Sequence, residues 1–394
     1  MNIGEVSSRV DTMASEENTA AKAVKLETEG SLAKAADPSG TEQPPARGRA
    51  YQSKASRKAT LTIAGLAVFM VVITLVSFVL GRFPIGVDQA IGMIITSMLP
   101  ADQTLIDVTW TAQQESLFFN VRLTRILLAL MIGACLSAAG AAFQGTFQNP
   151  LVSPDILGAS QGAAFGAALA ILTVGGAAAT STSAFIFSMI TVFIVLIISN
   201  HAKGNRVLVV VLAGVMVSSL FQSGVSFCKL VADPADDLPA ITYWLMGSLA
   251  GVSSVAEVGR AAIPMVIGMV VLFAMRWKIN ILTMGDDEAS TMGINAKRTR
   301  YIVLLAATLV TAASVSVSGI IGFVGLVVPH LARMLIGSDY RKLIPASALL
   351  GASFLLIVDN IARLATSAEI PIGILTAFIG VPFFLYLITR KKKL

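Results

Sequence analysis

One pattern in the sequence is typical of a catalytic serine. Gly158-Ala-Ser160-Gln-Gly162 matches G-x-S-x-G, in which a serine nucleophile stands at a strand-to-helix turn. Such a serine needs a histidine base that is oriented by a carboxylate. The chain has only two histidines, His201 and His330, and the pattern lies in an apolar run that favours a helix. We therefore keep an intramembrane serine hydrolase only as a minor alternative to a packing role for these residues.

The sequence lacks the motifs of metal, redox and nucleotide chemistry. Cys135 and Cys228 stand singly inside apolar runs without a C-x-x-C pattern, which indicates packing and predicts no disulfide, metal site or cofactor. No G-x-x-x-x-G-K-[ST] phosphate loop is present. If the chain takes part in an ATP-driven process, the ATPase must be another polypeptide.

Two ionisable residues lie within an apolar run, where the membrane makes them costly. Asp359 and Arg363 are four residues apart, so they share a helix face and could pair. A partly solvated ion pair at a helix end and a functional pair both remain open. No series of carboxylates crosses the apolar runs, which argues against a proton- or sodium-coupled secondary transporter, the main alternative from another class.

A polar segment between two apolar runs has a small apolar face. In residues 282–297 this face is formed by Met284, Ala289 and Met292, a glycine follows at Gly293, and basic residues come next. The pattern predicts a short amphipathic helix outside the membrane. Such a helix suggests docking to a cytosolic partner.

Composition places these residues in an integral membrane protein. Hydrophobic residues make up 55% of the chain and charged residues 13%, and the mean hydropathy is +0.78. Apolar runs of about 20 residues recur, and each must be helical because lipid offers the backbone no partner. We predict an all-α bundle of about ten transmembrane helices, with a short external helix at 234–250. The predicted spans are 60–80, 124–146, 156–174, 183–200, 207–231, 259–276, 301–318, 320–337, 345–364 and 371–389.

The distribution of charge predicts the topology. Residues 1–58 are polar and form a predicted disordered cytoplasmic tail, and residues 59–394 form the predicted transmembrane domain. Basic residues precede the first span and close the chain, so both termini are expected in the cytoplasm of a multi-pass cell membrane protein. The sequence pI of 9.4 therefore reflects short basic loops and does not indicate nucleic acid binding.

Small residues at helical spacing predict close packing between helices. One such face begins at Gly133 and continues to Gly145, and another contains Gly158, Gly162 and Gly166. Basic residues open the runs that begin near Arg122 and Arg298, and both runs end in glycines. Since the first would start outside and the second inside, an inverted internal repeat is expected.

Several segments between about residue 120 and the C-terminus form a recognisable series. They are Arg122-Leu-Thr-Arg125, Gly140 to Gly145, Asn149 to Gly158, Trp244 to Leu249, Gly285 to Arg300, Gly319 to Arg333, Asp359 to Arg363 and Glu369 to Gly373. In this order they resemble the iron-siderophore/vitamin B12 (FecCD-type) permease family of type II ABC importers. Thr124 stands where the family usually has proline, and the long polar tail is a second departure.

The resemblance implies a homodimer or heterodimer of ten-helix permeases with a translocation path along its axis. It implies two ATP-binding subunits on the cytoplasmic side and an extracytoplasmic substrate-binding protein on the other. None of the residues that it assigns would perform covalent chemistry. The cargo would be a ferric siderophore or a related large chelate, with cobalamin or haem left open.

The resemblance also assigns roles to residues. The docking of the binding protein would involve Arg122, Arg125 and Arg363. The ATPase cleft would receive a coupling segment that contains Gly285, Glu288, Ala289, Met292 and Gly293. The cytoplasmic gate would be formed by the loops that carry Asn149, Leu151, Asn200 and His201.

Overall fold

The computed structural model describes residues 46–81, 83, 85–98, 108–202, 206–251 and 254–389. Most of the predicted tail, residues 1–45, lies outside the described residues. A π-helical segment spans Phe118–Leu123, and a 3-10 turn spans Pro154–Leu157. The α-helices are α1 Ala46–Val79, α2 Val87–Met98, α3 Ala112–Leu117, α4 Thr124–Thr146, α5 Ala159–Thr173, α6 Ala177–His201, α7 Arg206–Val231, α8 Asp237–Leu245, α9 Val255–Leu282, α10 Asp286–Thr291, α11 Ala296–Ser318, α12 Val324–Ile336, α13 Tyr340–Leu364 and α14 Ile372–Thr389.

Each of the ten predicted spans corresponds to a helix, which confirms the all-α membrane bundle. In the described part of the chain, seven helical stretches are long and apolar enough to cross a membrane: Arg57–Val79, Ala112–Thr146, Ala177–His201, Leu208–Val231, Val255–Leu282, Ala296–Ser318 and Tyr340–Leu364. The other three spans are the shorter apolar helices α5, α12 and α14. The helix predicted at 234–250 is α8, which is shorter than expected.

Two of the short helices begin later than the sequence predicted. Gly158 (φ +76°) directly precedes α5, and Phe323 (φ +65°) directly precedes α12. A left-handed residue cannot continue a right-handed helix, so the predicted starts at 156 and 320 were wrong. The 13 residues of α12 rise about 20 Å, less than the roughly 30 Å hydrocarbon core. Irregular backbone must therefore complete this span, and it is tolerated there only where protein or water covers it.

Two helices, α2 and α3, were not predicted. Phe118 at the end of α3 stacks on Phe78 of α1 with ring centroids 5.2 Å apart, within a small core of its own. The sequence carried one signal for α3, a T-x-x-Q capping box. The Thr111 hydroxyl accepts from the Gln114 N–H at 3.2 Å, and the Gln114 side chain accepts from the Thr111 N–H at 2.9 Å.

Helix α4 lies at the centre of the bundle and packs against α9, α11, α12 and α13. Glycines make this close approach possible. A Cβ on Gly133 would overlap the carbonyl oxygen of Gly351 in α13, and one on Gly140 would overlap that of Gly325 in α12. Small-residue contact supplies the van der Waals attraction that lipid-embedded helices need, and it confirms the predicted packing face of α4.

The two ends of the bundle carry different residues. We call the end with Arg122, Arg125 and Arg363 the arginine end, and the end with residues 147–153 and 283–295 the loop end. The 23 residues of α4 run from the first to the second over about 35 Å. Helix α11 starts at the loop end, so it runs opposite to α4, as an inverted repeat requires.

Candidate functional site

Arg125, in the first turn of α4, bridges two carboxylates. Its Nε donates to Asp359 Oδ1 at 2.7 Å, and its Nη1 donates to Glu369 Oε2 at 2.7 Å. The Arg125 side chain is 6% exposed and that of Asp359 is fully buried, whereas the Glu369 side chain is 36% exposed. Arg125 therefore has one permanent internal partner and one partner at the protein surface.

Asp359 also pairs with Arg363, one helical turn further along α13. Arg363 Nε lies 3.2 Å from Asp359 Oδ2, which confirms that these two residues pair. Of the two alternatives that the sequence left open, a partly solvated ion pair does not fit, because the Asp359 side chain is fully buried between two guanidinium groups. The neighbouring Asn360 donates to the Ser77 hydroxyl of α1 at 2.6 Å and so ties α13 to α1.

Arg122 joins the π-helical segment to the end of α1. Its guanidinium donates to the carbonyl oxygen of Phe78 at 2.7 Å and also to that of Phe83. The side chain is buried. The structure thus brings Arg122, Arg125 and Arg363 to one end of the bundle, with each of them bonded inside its own chain.

At the loop end, the segment after α4 forms a tight turn. The Asn149 side chain accepts a hydrogen bond from the Leu151 N–H at 2.9 Å, and Leu151 projects outward with 57% of its area exposed. Gln148, which precedes this turn, has a left-handed backbone (φ +51°). Its Nε2 donates to the carbonyl oxygen of Leu282, the last residue of α9, at 2.7 Å.

Asn200 and His201 end α6 on the same side of the bundle. The Tyr301 hydroxyl of α11 donates to Asn200 Oδ1 at 3.2 Å, and His201 Nδ1 lies 2.9 Å from the carbonyl oxygen of Ile197. Phe147, next to the Asn149 turn, lines a small cavity together with Tyr301. Tyr301 of α11 thus bonds to one of the two predicted gate loops and lines a cavity next to the other.

A partly buried polar network at the loop end was not predicted. Arg333 of α12 donates to Gln144 of α4 at 2.9 Å and to the Tyr340 hydroxyl of α13 at 3.2 Å. The Tyr340 N–H donates to Asn280 of α9 at 3.1 Å. The signal for this network in the sequence is a glutamine and an arginine, Gln144 and Arg333, that stand within apolar runs. This network joins four helices at the loop end.

The predicted coupling segment contains the helix α10. Gly285 (φ +128°) precedes it and Gly293 (φ +75°) follows it, so a positive φ marks both of its ends. Ala289 is fully buried against its own chain, whereas Met284 and Met292 are more than half exposed. The predicted single apolar face was therefore wrong, because Ala289 points inward and anchors the helix.

An ion pair fixes the coupling segment to α11. Arg300 donates to the two carboxylate oxygens of Asp286 at 2.8 and 3.2 Å. Glu288 is exposed on α10. The segment is thus held by Ala289 and Asp286 and presents Met284, Glu288 and Met292 outward.

Ser160 of the G-x-S-x-G pattern has a structural partner. Its side chain is buried at the start of α5, and its hydroxyl donates to the Asp155 carboxylate. Gly158 is a left-handed residue before α5, and Gly162 lies against Thr191 of α6. The pattern here forms a helix start and a packing face, not the turn of a nucleophile.

A sequence model of the FecCD transport family matches residues 55–390. The chain belongs to this family. It is 37% identical over 329 residues to a molybdate import system permease protein of Haemophilus influenzae, an alignment that covers 84% of this chain and 95% of the relative. It is 35% identical over 345 residues to an Fe(3+)-citrate import system permease protein of Bacillus subtilis, covering 86% and 98%.

A solved structure supports the same assignment. An inward-facing metal-chelate type ABC transporter, described as putative, matches with a TM-score of 0.72 and 34% identity, over 84% of this chain and 99% of that chain. As a FecCD family member, the chain is a multi-pass membrane permease subunit of an ABC importer, and it is not an enzyme. The serine hydrolase and the ATP-independent carrier were therefore wrong alternatives.

Proposed function

We propose that this FecCD family member carries a ferric chelate, such as a ferric siderophore, across the cell membrane into the cytoplasm. It would pair with a second permease subunit, two ATP-binding subunits and an extracytoplasmic binding protein. Both chain termini would be cytoplasmic, with the arginine end outside and the loop end inside. The form of the coupling segment carries the ATP-driven part of this proposal, and the similarity to an Fe(3+)-citrate permease of Bacillus subtilis supports the ferric cargo.

The coupling segment has the properties of a docking element. Two exposed methionines, Met284 and Met292, flank a helix whose opposite side is anchored by Ala289. Methionine adapts its shape to an apolar cleft, and the Asp286–Arg300 pair holds the segment in place. Such a helix can transmit the motion of an ATPase cleft because it is fixed to both α9 and α11.

The gate would lie directly above this segment. Gln148 connects the Asn149 turn to the end of α9, and Tyr301 connects Asn200 to α11. The coupling segment runs from the end of α9 to the start of α11. Movement of this segment would therefore reach both gate loops through one hydrogen bond each.

An apolar groove along α14 supports a path of low affinity. It has a volume of about 670 Å³ and is lined by residues such as Met246, Phe323, Ile374 and Phe378. A wall with few charged or hydrogen-bonding groups would not hold a polar chelate tightly. The specificity of transport would then rest mainly on the binding protein.

The cargo can be tested by uptake into cells. A strain that lacks this gene, complemented with the intact gene, should regain uptake of radioactive iron supplied as ferric citrate or a ferric siderophore. Molybdate is the second candidate, because the molybdate permease of H. influenzae aligns over 95% of its length. Restored uptake of molybdate without any change in ferric chelate uptake would overturn the ferric cargo.

A further inference from the structure

The two carboxylates on Arg125 differ in what can replace them. Asp359 lies within helix α13 and its side chain is fully buried, so a group from another molecule cannot replace it as the partner of Arg125. Glu369 lies on the segment between α13 and α14, and its side chain is 36% exposed. Only the Glu369 position can exchange with a group from outside.

The charge of the cluster changes if Glu369 leaves. Arg125 and Arg363 pair with the carboxylates of Asp359 and Glu369. Arg122 lies at the same end of the bundle and donates to main-chain carbonyls, so three positive and two negative charges give these five residues a net charge of +1. Without Glu369 the net charge is +2 in a largely buried site, where charge is costly. A carboxylate from another protein would restore the balance.

We propose that Glu369 occupies, in the resting permease, the carboxylate site on Arg125 that an acidic side chain of the binding protein takes on docking. This inference rests on the proposed function, and in particular on docking at the arginine end. When no binding protein is present, Glu369 pairs with the side of the Arg125 guanidinium that Asp359 leaves open. It also lowers the affinity of docking, since the incoming carboxylate must compete with it.

The exchange would act on the segment that leads into α14. The Ile370 N–H donates to the Ala362 carbonyl at 3.2 Å, and the Ile372 N–H donates to the Gly247 carbonyl after α8 at 2.9 Å. The ion pair of Glu369 thus holds this segment next to two main-chain hydrogen bonds. Its displacement would free the side chain that holds this segment to α4, next to the start of α14 and the apolar groove.

The test compares two glutamate variants of the intact transporter in lipid nanodiscs. Glu369→Gln removes the competing charge, and Glu257→Gln is the matched control, because Glu257 is a glutamate 3.9 Å from a different arginine, Arg260. The probe is the purified binding protein of the same transport system. We expect Glu369→Gln to bind it about three- to tenfold more tightly and Glu257→Gln to bind it as the wild type does.

Arg125→Lys separates the possible failures. Lysine keeps a charge beside Asp359 but lacks the planar fork by which Arg125 reaches both carboxylate positions, so docking should weaken and the gain from Glu369→Gln should disappear in the double variant. If Arg125→Lys weakens docking while Glu369→Gln leaves it unchanged or weaker, the exchange is overturned and the docking face stands. If neither variant alters docking, the docking face is wrong and the exchange fails with it.

Discussion

The Gln148 side chain donates a 2.7 Å hydrogen bond to the carbonyl oxygen of Leu282. These residues are 134 positions apart, and they join the turn after α4 to the last residue of α9, where the coupling segment begins. A single side chain thus connects the proposed gate to the proposed ATPase contact. This arrangement makes Gln148 a positioning residue whose removal should affect coupling more than assembly.

Gln148→Met keeps the length of the side chain and removes its donor. We expect the ATPase subunits to stay bound, while transported cargo per hydrolysed ATP falls about threefold or more, as expected when a hydrogen bond of order 1 kcal/mol is lost from the coupled motion. The measurement is uptake and phosphate release in the same proteoliposomes. Gln113→Met, at an exposed position near the arginine end, is the control. An unchanged ratio would show that this bond does not couple the two sites.

Gly293 tests the shape of the coupling segment. A Cβ at Gly293 would meet no neighbouring atom, but the backbone there has φ +75°. Gly293→Ala should therefore strain the turn by about 1–2 kcal/mol without any clash and should weaken co-purification of the ATPase. Gly259→Ala is the matched control, because Gly259 also has open space and an ordinary helical φ. Equal ATPase recovery from both variants would contradict a required turn geometry.

Met292 tests the docking surface itself. Met292 is 51% exposed on the coupling segment, and Met334 is 54% exposed on α12. Met292→Glu should place a charge in the apolar cleft and release the ATPase from the purified complex, while Met334→Glu should retain it. Retention of the ATPase by the Met292 variant would mean that docking occurs elsewhere.

Asp359 tests the buried charge cluster. Asp359→Asn leaves Arg125 and Arg363 without their buried counter-charge and should cost about 3–5 kcal/mol of stability. Asp339→Asn is the control, since Asp339 pairs with Arg341 at a surface site and asparagine can still cap α13; its cost should be about 0–1 kcal/mol. Thermal unfolding in nanodiscs measures both. Similar midpoints for the two variants would contradict a structural role for the cluster.

The close approach between α4 and α12 can be tested in the same way. Gly140→Ala would drive a methyl group into the carbonyl oxygen of Gly325, so the helices must separate. We expect a loss of roughly 1–3 kcal/mol and poor recovery of assembled protein. Gly65→Ala in α1, where a Cβ meets nothing, should be recovered like the wild type.

Much of the fold could be predicted from the sequence because lipid leaves the backbone few choices. Long apolar runs had to be helices, and the small-residue face of α4 marked its packing. The starts of α5 and α12 could not be predicted, because the left-handed backbones of Gly158 and Phe323 are set by tertiary contacts. Helix α2 was missed because its length and mixed composition fell below the pattern of a membrane span.

Only some contacts of the candidate site could be predicted from the sequence. The spacing of Asp359 and Arg363 predicted their pairing, since a four-residue interval shares a helix face. The bridge from Arg125 to Glu369 spans 244 positions, and no local pattern indicates it. The same limit applies to Gln148, whose partner depends on where two distant helices end. The inward direction of the Ala289 side chain could not be predicted either, because a six-residue helix has too few turns to define an apolar face.

We expect this chain to import cargo only when a separate ATPase engages it. The most direct measurement is uptake of a radioactive ferric chelate into proteoliposomes that contain the permease, with binding protein outside and ATP inside. Uptake is predicted with the ATPase subunits present and not in their absence. Uptake at the same rate by the permease without any ATPase would contradict the account.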